Sequence, residues 1–161
     1  MTQVEFLEQS GVMEAMWPNF RDWVHWFDSN GLMGTIRDKD GEIHGVALAR
    51  CIPHGVNPDH YVHSENGDDI FVDLCATSGI KRAELVEPLK GLLLILWNRF
   101  GPRKRIIFNR LGTPKEYDYM KFMRKALASS VARATNVSFG VSTLVVNCAR
   151  RLPLTWTTKS T

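Results

Sequence analysis

Between Gln3 and Asn30 the apolar positions Val4, Phe6, Leu7, Val12, Met13, Met16, Trp17, Phe20, Trp23, Val24, Trp26 and Phe27 recur at helical spacing. They predict two short amphipathic helices, broken near Gly11 or Pro18 and closed by Asn30-Gly31. The period then changes. "LMGTIRDKDGEIHGVALARCI" holds two strand-like runs around Asp40-Gly41, a dipeptide that tolerates the positive φ of a tight hairpin turn. Residues Pro53 to Asp69 show no periodicity and predict a long loop. "IFVDLCAT", Ile70 to Thr77, reads as the next strand, and Glu84 to Phe100 as a helix apolar nearly all round, stopped by Gly101-Pro102. Such a helix is expected to be buried against the sheet.

The run Ile106, Ile107, Phe108 predicts a further buried strand over Arg105 to Arg110. After Gly112, Thr113 offers an N-cap oxygen, Pro114 suits the first helical position, and Glu116 stands three residues beyond the cap. A helix is therefore expected to start at Thr113, with Tyr117 and Tyr119 in its first turns and Tyr119, Phe122, Met123, Ala126 and Leu127 on its apolar face. "VSFGVSTLVVNCA" predicts a last strand or hairpin, and residues 151–161 a frayed tail beyond a single domain over 1–150.

Composition narrows the class. The chain has 161 residues, 44% hydrophobic and 23% charged, which suits one globular domain. A net charge of +3 favours an anionic ligand and falls short of a dedicated nucleic-acid binder, so nucleic acid is not the expected partner. Cys51, Cys75 and Cys148 are odd in number and widely spaced, which argues against a disulfide framework and for a reducing, cytoplasmic setting. The first residues carry no basic, apolar leader pattern, and the longest apolar run, Leu92 to Trp97, is too short to span a bilayer, so a soluble protein without a membrane partner is expected.

The element order, two helices, a hairpin, a strand, a buried helix, a strand and a helix, resembles the GNAT family of acyltransferases. "GTIRDKDGEIHGVALARC" is similar to that family's central hairpin, and the resemblance runs from about Phe20 to Leu127. It implies an α/β (α+β) fold, a mixed sheet flanked by helices, in which "DIFVDLCATS" and "RIIFNR" are splayed parallel strands with an acyl-CoA arm between them. Backbone groups of Leu74, Cys75, Ala76 and Thr77 would then hold the pantetheine, and Gly79 with Lys81 and Arg82 would face the pyrophosphate. The family's paired-glycine loop has one glycine here, Gly79 in "SGIKRAELVEPLKG", so Lys81 and Arg82 would contribute by charge pairing.

The implied activity is transfer of an acetyl or other acyl group from CoA to an amine on a small molecule or protein. Tyr117 or Tyr119 would protonate the departing thiolate. Asp73, an acid among apolar neighbours, is a candidate base if desolvated, and otherwise a solvent-facing residue of an alternating strand. The other reading left open is a GNAT-like scaffold without catalysis, a binding or assembly module with a protein partner or a second copy of itself. Cys51, His54, His60 and His63 resemble a ligand set, but their spacing matches no common zinc module, so no metal is expected and the histidines are read as lining a substrate cleft. Arg99, Arg103, Lys104, Arg105 and Arg110 are read as complementing the carbonyl end of the preceding helix.

Overall fold

A computed structural model describes residues 1–59, 62–79, 86–110, 112–131 and 141–146. Helix α1, Gln3–Gln9, opens with a capping box in which Thr2 Oγ1 accepts from the Glu5 amide at 3.2 Å and the Thr2 amide donates to the Glu5 carboxylate at 2.7 Å. A 3-10 turn at Met13–Met16 leads to α2, Phe20–Ser29. Phe20, Trp23, Val24 and Phe27 make the buried stripe of α2, and Trp23 packs edge-on between Trp17 and Phe27 at 5.3 Å each. The predicted helical pair is present.

The strands are β1, Met33–Arg37, β2, Ile43–Ile52, β3, Asp69–Gly79, β4, Arg105–Arg110, β5, Thr113–Asp118, and β6, Val141–Val146; helices α3, Val86–Phe100, and α4, Tyr119–Val131, follow β3 and β5. They build one mixed sheet ordered β1-β2-β3-β4-β5, with β6 also paired to β3. β1 and β2 form the hairpin that the pattern predicts around Asp40-Gly41, β2 pairs antiparallel with β3, and β3 runs parallel to β4, the orientation the resemblance implies. Parallel neighbours need a crossover, and α3 lies in it.

Helix α3 comes very close to β1. A Cβ on Gly34 would stand 2.7 to 2.9 Å from the Cβ, Cα and N of Leu92, so only glycine permits the approach. Leu92, Leu93 and Leu96 enter the core beside Phe6, Leu7, Trp23, Phe27, Leu48, Ile70, Leu74, Ile106 and Tyr119. The helix is buried against the sheet as expected, and its apolar character continues onto a solvent face where Leu94 and Ile95 are exposed. Among the described residues no helix is long and apolar enough to cross a membrane.

The segment after β4 departs from its reading. Thr113–Asp118 is a strand with every residue exposed, paired antiparallel with β4 from Arg110↔Thr113 to Arg105↔Asp118. Gly112 at φ 78° makes the turn, and Pro114 sits where an edge strand can spare its missing donor. The capping oxygen belongs to Asp118, whose Oδ1 accepts from the Lys121 amide at 2.8 Å. The Thr113-Pro114 start signal is real local chemistry outweighed by six residues of cross-strand pairing with β4, and Tyr117 is therefore a strand residue.

Candidate functional site

The two parallel strands part. β3 pairs β4 from Asp69↔Arg105 to Val72↔Phe108, and there the ladder ends although both strands run on. Asp73 marks the point of departure. Leu48 is opposite Leu74 and Ala49 opposite Val72, so Asp73 is an extra residue of β3, bulged between two rungs of its ladder with β2. A bulge of this kind kinks its strand and adds local twist, and no β3–β4 rung follows it. Asn109, buried on β4, is the first residue past the last β3–β4 rung. The result is a fork with Asp73 and Leu74 on one side and Asn109 on the other.

Asp73 does not face solvent. It is 3% exposed and takes a bidentate pair from Arg50, itself 1% exposed, with Nε to Oδ2 at 2.9 Å and a terminal guanidinium nitrogen to Oδ1 at 2.9 Å. Arg50 also donates to the Pro58 and Val62 carbonyls and lies over the Phe71 ring at 5.4 Å. One guanidinium thus ties the bulge of β3 to the loop that precedes it. Buried and held on both oxygens by Arg50, Asp73 is not the solvent-facing residue of an alternating strand, and that reading is corrected.

Leu74, Cys75, Ala76 and Thr77 are all buried. β2 covers one edge of β3 along Gly45↔Thr77 to Ile52↔Asp69, which leaves the other edge to β4 as far as Val72 and to β6 at Cys75, Ala76, Thr77 and Gly79. Lys81 and Arg82 lie outside the described residues.

The tyrosines separate. Tyr119, the first residue of α4, is fully buried, stacks on Trp97 at 6.0 Å and donates to the Leu93 carbonyl at 3.4 Å. Burial pushes its phenol up to about 12. Tyr117, on β5, is 44% exposed and stacks on Phe108 at 5.4 Å and against Phe122 at 6.0 Å. Asp73, Tyr117 and Tyr119 therefore sit in three settings: a buried ion pair, an exposed edge strand and a core helix.

The histidines of the loop are engaged one by one. His54 Nδ1 is 3.0 Å from Asp69 Oδ2, whose other oxygen takes Arg105 Nε at 3.0 Å. His63 Nδ1 accepts from the Cys51 amide at 3.1 Å, and its ring meets Phe100 at 5.3 Å. Burial, with help from Arg99, lowers His63 to about 4, and burial raises the Cys51 thiol to about 11, so at neutral pH one is uncharged imidazole and the other unreactive thiol. His60 lies outside the described residues. Among the described residues no group of three His, Cys, Asp or Glu side chains is placed to hold a metal.

The basic cluster has acidic partners that periodicity could not show. Arg99 pairs with Glu65 at 3.2 Å and donates to the Asn30 carbonyl, Arg103 donates to the Glu65 carbonyl at 2.7 Å, and Lys104 reaches Asp68 at 3.1 Å. With Arg105 on Asp69, these cations pin the loop before β3, while Arg99 also stands in the last turn of α3, at the helix end where it was expected. Much of the positive charge is thus balanced within the chain.

One constellation has no signal in the sequence pattern. Asp38 in the hairpin turn, His44 at the start of β2 and Ser78 near the end of β3 are hydrogen-bonded in series, His44 Nε2 to Asp38 Oδ2 at 3.1 Å and His44 Nδ1 to Ser78 Oγ at 2.9 Å. No spacing along the chain announces it, since His44 and Ser78 are brought together by the β2–β3 register. No family model, no curated protein and no solved structure matches this chain.

Proposed function

We propose that the chain is a GNAT-like acyl-CoA-dependent N-acyltransferase whose donor lies in the fork between β3 and β4. The observation that carries this reading is the parallel pair that opens at a bulge, Val72↔Phe108 being its last rung. Past that rung the two strands diverge, and an extended pantetheine arm, with amides of its own, has the length and the chemistry to run between them. Tyr119 is held in the core and Asp73 by Arg50, so neither is placed to move a proton. Transfer would rest on orientation, an amine acceptor attacking the thioester directly, with Tyr117 the one candidate acid that reaches solvent.

A second reading, a GNAT-like binding or assembly module, is favoured by β6, which takes the β3 edge at Cys75 to Gly79. A chain that fills its own fork has less room for a donor. The experiment that separates the two is thiol release from acetyl-CoA over a panel of primary amines and basic peptides, paired with thermal denaturation. The transferase reading predicts acceptor-dependent release and, at a hundredfold excess of acetyl-CoA over Kd, stabilisation of about 2.7 kcal/mol. The module reading predicts neither.

A further inference from the structure

We propose that Asp38, His44 and Ser78 form a nucleophilic site that cleaves carboxylic esters by way of an acyl-serine. It goes beyond the proposed function and rests on other residues, because it requires neither CoA nor the fork.

Strand register places the base. In the β1–β2 hairpin Ile36 is opposite Gly45 and Arg37 opposite Ile43, so His44 falls at the register shift between two rungs. Such a shift re-aims a side chain. His44 reaches Asp38 on one side and Ser78 on the other, bridging hairpin turn and strand end. Thr77 Oγ1 donates to the His44 carbonyl at 2.9 Å and fixes the backbone from which the ring hangs.

Proton positions follow from the partners. Asp38 is also fixed, its Oδ1 accepting from the amides of Asp40 at 2.8 Å and Glu42 at 2.9 Å, which leaves Oδ2 for the ring. Although desolvation opposes them, those amide bonds and His44 hold the Asp38 carboxyl below its usual range. A carboxylate only accepts, so neutral His44 must carry its proton on Nε2. Nδ1 then presents a lone pair to the Ser78 hydroxyl at 2.9 Å, the nearer of that hydroxyl's two acceptors, the His44 carbonyl standing at 3.4 Å. Base stands to nucleophile, and orienting acid to base, as in the arrangement that activates serine on unrelated folds, with the two ring nitrogens exchanged. His44 is 38% and Asp38 27% exposed at the side chain, so the site is open to solvent.

In the reaction Ser78 Oγ attacks the carbonyl carbon of an ester while His44 Nδ1 takes the hydroxyl proton. The bond to the alkoxy oxygen breaks, His44 returns that proton to it, and the alcohol leaves acyl-Ser78 behind. Water then attacks the acyl carbon, giving its proton to His44. The carbonyl–Oγ bond breaks, Ser78 regains a proton and a carboxylic acid departs. Asp38 steadies the imidazolium in both halves.

The test treats the full chain with a fluorophosphonate and with p-nitrophenyl acetate. The expected result is a single phosphonyl adduct mapped to Ser78 by peptide mass, and hydrolysis that begins with a burst. S78A should lose adduct and burst, and H44Q should slow both by about 10²-fold or more. A role confined to clamping the hairpin would not give a serine adduct. Adduct mapping uses the unaltered protein, so it stands even if a variant misfolds. Absence of any Ser78 adduct at millimolar reagent, an adduct on another residue instead, or equal hydrolysis by folded S78A overturns the proposal.

Discussion

Replacing Arg50 with Met asks the most of the buried pair at the fork. The substitution keeps the length of the stem and deletes the guanidinium, removing from the Asp73 carboxylate, 3% exposed, the cation that contacts both its oxygens at 2.9 Å. Two unit charges about 4 Å apart attract by about 4 kcal/mol at an effective dielectric of about 20. Removing one member of a buried pair typically costs about 3 to 5 kcal/mol, because the remaining charge stays desolvated. The carbonyls of Pro58 and Val62 lose a donor as well. For a chain of this size that loss lowers the melting midpoint by roughly 6 to 20 °C, at about 2 to 4 °C per kcal/mol. The assay is urea or thermal unfolding followed by circular dichroism. R50M/D73L, which takes away both charges, should regain most of the loss. A single variant within 1 kcal/mol of the parent, or a double variant no better than the single, would refute the assignment of Arg50 and Asp73 as a coupled pair.

Asp118→Ala should cost about 1 kcal/mol, since the Lys121 amide loses its cap, while Thr113→Ala should leave the midpoint almost unmoved; the reverse order would place the start of α4 at Thr113. Gly34→Ala forces a Cβ onto the backbone of Leu92 and is expected to destabilise by about 1 to 3 kcal/mol, so an unchanged denaturation curve would show that α3 does not lie against β1. His63, lowered from 6.5 to about 4, binds its proton more weakly folded than unfolded. Its stabilisation is therefore present above about pH 6.5 and lost on acidification, by about 3 kcal/mol at pH 4, and His63→Gln should flatten that part of the stability–pH profile.

Helices, hairpin and sheet partners were legible where local pattern and tertiary demand agree. The stripe of Phe20, Trp23, Val24 and Phe27 can only be a helix face, Asp40-Gly41 flanked by strand residues can only turn, and Ile106 to Phe108 needed a buried strand beside β3. At Thr113 the two disagree. A capping motif there competes with pairing to β4, and nothing in the six residues themselves reports the partner strand. Thr2 and Glu5 carried the same kind of capping signal and, with no strand to compete, do form the box. The site was harder to read because it is made of registers. Alternation along Ile70 to Leu74 leaves Asp73 either inward or outward, while one extra residue opposite Leu48 and Ala49, and an arginine 23 positions away, decide its burial and its partner. Likewise Asp38, His44 and Ser78 are ordinary polar positions until the hairpin and the β2–β3 register join them.

Whether the fork opened at Asp73 receives an acyl-CoA arm can be decided by mapping amide resonances of the full chain as acetyl-CoA is added to millimolar concentration. An occupied fork puts the largest shifts on its two sides, Asp73 to Thr77 on β3 and Phe108 with Asn109 on β4, and those shifts saturate with ligand. A spectrum that does not change, or shifts confined to other parts of the chain, would contradict the assignment of the fork as the donor site.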